Sequence, residues 1–299
     1  MAAADHAGPK VPQIDRPQNA RRGILLMIAG LAMFSIGEGA VKYLTTQHEI
    51  IQIVWARYTF HALLFLLIFS RIGIKRQIAT NRPWLQLGRS ILLLTATTFF
   101  FTAVRYLTLA EAISINFVSP LLVTAFSIPL LGEQVGVRRW FAIAVGFVGV
   151  LIIVRPGLGV MHWAAVLPLG TAVCYALYQI LTRIAVRTED TQTSLFWTSA
   201  VGVMVTSALV PFAWTAPSPF AWGLMIGTGL FFGFGHLLLI KGFEVAPASM
   251  LAPFIYTQLI WVTIIGYLIF DNFPDRFTLI GGLIVIASGL YVWHRETRR

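Results

Sequence analysis

Ten apolar runs, each close to the length of a membrane crossing, follow one another along the chain: 23–41, 51–70, 85–104, 110–131, 139–154, 163–182, 194–213, 220–240, 247–270 and 277–293. The hydrocarbon core of a bilayer takes about 20 mostly apolar residues per helix. Backbone groups cannot stay unpaired in hydrocarbon, so runs of this length are helices. A membrane barrel would show short segments of alternating polarity instead. The sequence therefore predicts an all-α integral membrane protein of ten transmembrane helices. Charged residues make up only 11% of the chain, where a soluble domain carries about a quarter. Lipid, not water, covers most of its surface.

The formal charge of +10 would point to nucleic acid in a soluble protein. Here the basic residues flank the apolar runs, and no soluble basic domain exists to bind nucleic acid. Their distribution sets topology instead. With residues 1–22 in the cytoplasm, Lys10, Arg16, Arg21, Arg22, Arg71, Lys75, Arg76, Arg82, Arg138 and Arg139 fall inside. So do Arg183, Arg187, Lys241, Arg295, Arg298 and Arg299, against only Lys42, Arg105, Arg155 and Arg276 outside. Both termini are predicted cytoplasmic, in a multi-pass protein of the cell (inner) membrane. Trp84, Trp140, Trp163, Trp222 and Trp293 lie at predicted helix ends, as amphipathic rings prefer. Residues 1–22, polar and with three prolines, read as a disordered lead. Arg21-Arg22 ahead of an apolar run resembles an export signal, but no small-residue cleavage site follows, and the run reads as the first membrane helix. The lone Cys174 excludes a disulfide framework or a cysteine metal site.

One stretch is used twice. Arg105-Tyr-Leu-Thr-Leu-Ala-Glu-Ala-Ile-Ser runs into an apolar helix, and Lys241-Gly-Phe-Glu-Val-Ala-Pro-Ala-Ser does so again. Setting Arg105 on Lys241 aligns Ala110 with Ala246, Ala112 with Ala248 and Pro120 with Tyr256. With three extra residues allowed, Leu131-Gly-Glu133 meets Phe270-Asp-Asn272. Phe34, Glu38 and Lys42 match Tyr175, Gln179 and Arg183. Each half then holds five helices: residues 23–155, and residues 156–294 ahead of a cytoplasmic tail at 295–299. An odd number turns the second half upside down relative to the first. Two inverted five-helix repeats are how many transporters make two nearly equivalent conformations open to opposite sides.

On these elements the chain resembles the EamA-like branch of the drug/metabolite transporter superfamily over nearly all of residues 23–294. The resemblance is carried by Ala110-Glu-Ala-Ile-Ser with Ser119-Pro120 and by Leu131-Gly-Glu133. In the second half it is carried by Ala246-Pro-Ala-Ser, Ala252-Pro-Phe-Ile-Tyr256, Phe270 and Pro274-Asp275. The family usually shows Gly-Glu where this chain has Asp271-Asn272, a departure that touches only a helix-terminal contact. The resemblance implies ten helices, cytoplasmic termini, a central cavity and alternating access without an ATP-binding domain. The chain accordingly lacks a Gly-x-x-x-x-Gly-Lys-Ser/Thr phosphate loop. Glu38-Gly-Ala-Val-Lys42 and Gln52-Ile-Val-Trp-Ala-Arg57 are similar to segments of riboflavin, S-adenosylmethionine and other metabolite carriers, and loosely to those of amino-acid exporters.

Polar residues inside the runs are the candidate site, because a charge in the bilayer costs several kcal/mol and faces protein or water. Glu38 reads as a substrate-amine or proton-coupling group, or as the partner of Lys42 one turn on. Arg57 offers a guanidinium fork to a carboxylate or phosphate, or else pairs with Glu38 or Glu49; His61 shares its face. Pro120 removes a backbone donor and frees the carbonyl of Asn116, beside Glu111, Ser114 and Ser119; Pro253 does the same for Ser249. The outcome is either a broken-helix binding site or a packing kink. Tyr175, Tyr178, Gln179, Tyr256 and Gln258 are candidates for a cavity wall, with Tyr175, Gln179 and Tyr256 favoured by their repeat mates. His236 reads as structural. Gly223, Gly227, Gly229, Gly233, Gly235, Gly146, Gly149, Gly281, Gly282 and Gly289 read as packing positions.

Glu38, Arg57, Asn116, Tyr175, Gln179 and Tyr256 are thus the expected substrate-binding residues, with no catalytic residue, metal site or cofactor. The expected function is secondary transport of a small polar organic metabolite, with export of an amino-acid-like solute as the first reading. Uptake of a cofactor-like metabolite such as riboflavin or S-adenosylmethionine is the second. An intramembrane enzyme or a non-transporting scaffold is a remote alternative. The expected partners are a small-molecule substrate and the lipid bilayer, with a homodimer left open.

Overall fold

The computed structural model describes residues 17–68, 77–132, 136–155, 162–185, 188–246 and 248–297. Among the described residues ten helical units follow one another along the chain. In the first half these are α1 (Pro17–Leu44), α2 (Ile50–Ile68), α3 (Pro83–Tyr106), α4 (Leu109–Asn116, resuming as Ser119–Leu131) and α5 (Val137–Val154). In the second they are α6 (Val166–Ala185), α7 (Thr191–Leu209), α8 (Pro219–Val245), α9 (Gln258–Phe270) and α10 (Arg276–Thr297). Among the described residues nine helical spans are long and apolar enough to cross a bilayer; the apolar part of α5, Trp140–Val154, is shorter. The protein is a multi-pass integral membrane protein. Leu67, Phe141, Leu268 and Leu283 are exposed on its outside, where lipid takes the place of water.

Two boundaries differ from the sequence reading. Helix α1 starts at Pro17 rather than at residue 23, since proline suits a first turn, where its missing N–H goes unused. The run at 110–131 is interrupted: Asn116 ends one segment and Ser119-Pro120 starts the next. The same happens in the second half, where Ala248–Leu251 passes into a 3₁₀ stretch, Ala252–Thr257, before α9. Among the expected topology and motif positions, Lys10, Arg16, Arg71, Lys75, Arg76, Glu133, Arg187, Pro247, Arg298 and Arg299 lie outside the described residues.

Local chemistry explains the helix ends. Thr108 and Glu111 form a capping box at the start of α4: the threonine hydroxyl accepts from the Glu111 amide, and the carboxylate accepts from the Thr108 amide. Glu111 is therefore a cap rather than a site residue. Gly132 closes the second segment of α4 in the left-handed conformation, φ 70°. Asp271 does the same for α9 at φ 53°, a conformation that aspartate tolerates better than most side chains. The departure from Gly-Glu thus leaves the helix end closed.

The halves interlock. Helix α1 packs along α8, and its repeat mate α6 packs along α3, the mate of α8. Likewise α2 packs on α8 while α7 packs on α3, and α1 on α9 while α6 packs on the second segment of α4. The pairs α2–α7 and α5–α10 join each helix to its own mate. Every one of these contacts runs between the two halves. Small residues permit the close approaches. A Cβ on Gly23 would stand 2.5 Å from that of Ala246, and one on Gly281 would stand 2.5 Å from the Gly149 carbonyl oxygen.

Candidate functional site

A central cavity of about 170 Å³, partly open, lies between α1, α2, α3, α4, α6, α8 and α9. Both interruptions reach it: Asn116, Phe117, Ser119 and Pro120 from α4, and Ile255 from the 3₁₀ stretch with Gln258 from the start of α9. Six aromatic rings stand in its walls, those of Phe34, Phe100, Phe101, Phe117, Tyr175 and Phe232. Such faces suit a planar or amphipathic solute.

An acidic and a basic side chain, Glu38 and Arg57, line this cavity, and among the described residues they form no ion pair with each other. Glu38 is 5% exposed. Its Oε1 accepts from the Gln258 amide at 2.9 Å, and its Oε2 is buried with no partner. The alternative pairing with Lys42 is not formed. The lysine ammonium instead donates to the Val104 and Leu107 carbonyls at 3.0 and 2.8 Å, closing the end of α3. Arg57 is equally buried and donates from Nη1 to the Thr97 hydroxyl at 2.7 Å. Its guanidinium lies 4.6, 5.0 and 5.7 Å from the ring centres of Phe232, Tyr58 and Phe101, while its Nε has no partner. Among the described residues Arg57 has no acidic partner within ion-pair distance: Glu49 takes Arg105, at 3.6 Å, and Glu38 takes Gln258. The rings hold the cation in place and leave its charge uncancelled.

Asn116 contributes a buried side-chain oxygen with no partner at the point where α4 breaks. Pro120, four residues on, has no N–H to offer the Asn116 carbonyl. His61 and His236 stack at 5.4 Å between α2 and α8; His236 reaches the cavity and bonds through Nδ1 to the Phe232 carbonyl. The Nε2 of His61 is buried and unpartnered. Among the described residues no three of His, Cys, Asp and Glu gather as metal ligands.

Four of the six expected site residues, Glu38, Arg57, Asn116 and Tyr175, line this cavity; Gln179 and Tyr256 do not. Gln179 sits one turn beyond Tyr175, in a separate recess with Tyr178, Thr182 and Arg183. Tyr256 lies in the 3₁₀ stretch, whose threefold period aims Ile255 and Gln258 inward. Its ring meets Phe117 edge-on at 5.1 Å and its hydroxyl abuts Gly289. Sequence reasoning missed Thr97, Phe101 and Phe232, whose types are ordinary inside a membrane helix. It also passed over Arg89, a second arginine within an apolar run that carries the same signal as Arg57.

The model of the EamA-like transporter family matches residues 21–155 and 162–293, one copy on α1–α5 and one on α6–α10. An S-adenosylmethionine uptake transporter of Rickettsia prowazekii is 26% identical over 276 residues, covering 92% of this chain and 94% of its own. A riboflavin transporter of Vibrio cholerae is 26% identical over 283 residues, 93% and 95%. A pseudopaline exporter of Pseudomonas aeruginosa is 24% identical over 270 residues, 90% and 94%. One solved crystal structure superposes with a TM-score of 0.63 over 94% of this chain and 99% of its own, at 15% identity, a likeness of fold alone.

Proposed function

The chain belongs to the EamA-like transporter family, two copies of whose domain it carries, and from that premise we propose that it takes up an amphoteric, cofactor-like metabolite of the S-adenosylmethionine class. It is a transporter and not an enzyme. The observation that carries the substrate class is the pair of uncommitted groups in one aromatic cavity, Glu38 Oε2 and Arg57 Nε. A solute with an ammonium, a carboxylate and a heteroaromatic ring offers a partner to each: the carboxylate side chain for the first, the guanidinium for the second, the phenyl faces for the third. An uncharged flavin would leave the Arg57 charge unanswered in a buried place, which is costly. This reading replaces amino-acid export, because the aromatic walls exceed what a small amino acid needs and two sets of relatives carry names of cofactor-like substrates.

In this reading five helices per copy invert the second copy, and rocking of the halves exposes the cavity to each side in turn. The arginines flanking the runs put both termini in the cytoplasm of a cell (inner) membrane. The test uses purified protein in proteoliposomes and radiolabelled S-adenosylmethionine. Saturable accumulation that excess unlabelled S-adenosylmethionine competes away and riboflavin does not is the expected result. Riboflavin accumulation, or flux of amino acids alone, would overturn the substrate class.

A further inference from the structure

Arg89 is 1% exposed, yet every partner it has among the described residues is neutral. Its Nε donates to the Thr182 hydroxyl at 3.2 Å, and Nη1 donates to Gln86 Oε1 at 2.8 Å and to the Ser194 carbonyl at 3.0 Å. Nη2 donates to the Tyr178 hydroxyl at 3.2 Å. A buried cation with no anion beside it bears a desolvation cost that dipoles offset only in part. Inside a membrane such a group marks a ligand path by default.

Two of those partners, Tyr178 and Thr182, line the recess that also holds Gln179 and Arg183. The recess and the central cavity lie against the same face of α6, one turn apart. Tyr175, in the cavity wall, stacks on Tyr178 at 5.8 Å and 24°. Tyr178, Gln179 and Thr182 then follow at the three- and four-residue steps that keep a helix face continuous. We propose that Arg89, behind Tyr178, is the core of a second anion station on the path, taking a carboxylate or phosphate group between the central cavity and the end of α6. The bond that must yield is the Nη2–Tyr178 contact, a neutral acceptor at 3.2 Å. An anionic oxygen in its place makes a charge-assisted bond roughly twice as strong. The station deepens the transport reading if its occupant is the carboxylate of the substrate, and stands apart from that reading if the occupant is a free anion.

The experiment needs no transport. Full-length protein carrying Arg57→Gln, so that the central guanidinium is gone, is titrated at constant ionic strength with acetate and with inorganic phosphate while its thermal midpoint is followed. A rise of about 2–4 °C for at least one anion is expected. Acetate alone assigns the station to a carboxylate-bearing solute, and phosphate alone to a free anion. Adding Arg89→Gln abolishes the rise. Tyr178→Phe keeps the ring, removes the competing hydroxyl and lowers the anion concentration needed for half the rise by threefold or more. A merely structural clamp predicts no such gain, so Tyr178→Phe decides the matter even if the Arg89 variant fails to fold. No rise in the Arg57→Gln protein, a rise that survives Arg89→Gln, or an unchanged half-point in Tyr178→Phe each overturns the proposal. Failure of S-adenosylmethionine uptake alone leaves it standing.

Discussion

Replacing Glu38 by glutamine separates binding from stability. The amide has the shape of the carboxylate and keeps an oxygen for the Gln258 N–H, now at 2.9 Å. What changes is the buried Oε2, which has no partner and becomes an NH₂ group. Toward a substrate ammonium, a charge-assisted acceptor turns into a donor, a loss of about 1.5–3 kcal/mol. At 1.4 kcal/mol per decade, the dissociation constant rises about 10- to 150-fold. Stability moves the other way or not at all, because the variant no longer desolvates a carboxylate. Ligand titration of wild-type and Glu38→Gln protein in detergent, with the thermal midpoint of each measured without ligand, gives both quantities. An affinity within about threefold of wild type, at an unchanged midpoint, would refute the assignment of the acidic group to the substrate. A fallen midpoint would show that Glu38 holds the bundle together instead.

Three further outcomes follow from contacts outside the cavity. Lys42→Met keeps the aliphatic stem but strips two donors from the end of α3; it costs about 1–3 kcal/mol, read as a lower midpoint. Gly281→Ala puts a Cβ 2.5 Å from both the Gly149 carbonyl oxygen and a carbon of Ile153, which forces α5 off α10 at a cost of about 1–3 kcal/mol in the same assay. The carboxyl of Asp275 loses a little solvation, which raises its pKa. The Thr278 amide and the Arg155 guanidinium at 2.6 Å outweigh this and hold it below its ordinary value. Its contribution to stability is complete above about pH 3.9, the unfolded value, and is lost as pH falls through the folded one. Asp275→Asn therefore flattens the acid side of a stability-against-pH curve and leaves the neutral side lower.

What could be read from the chain alone was whatever a bilayer penalises. Lengths of apolar residue mark the helices, and Glu38, Arg57 and Asn116 stand out because polarity inside such a length demands a reason. Pairing Arg105 with Lys241 exposed the duplication, and Pro120 marked the break in α4. The same duplication misplaced Gln179. A repeat relates positions on two helices but says nothing of which side the cavity takes at a given moment, and one turn of α6 separates its wall from the next recess. Tyr256 was misjudged because a 3₁₀ stretch rotates side chains differently from the α-helix assumed. Phe101, Phe232 and Thr97 carry no mark at all, since rings and hydroxyls are ordinary in membrane helices. Arg89 was legible by the rule that found Arg57.

The exchange of partners between the halves, α1 with α8 and α3 with α6, bears on biogenesis. A ribosome that has delivered only the first five helices has inserted a fragment whose α1 and α3 still wait for companions not yet synthesised. Severing the gene between the copies should therefore yield two pieces that are each prone to degradation and that recover activity only when coexpressed.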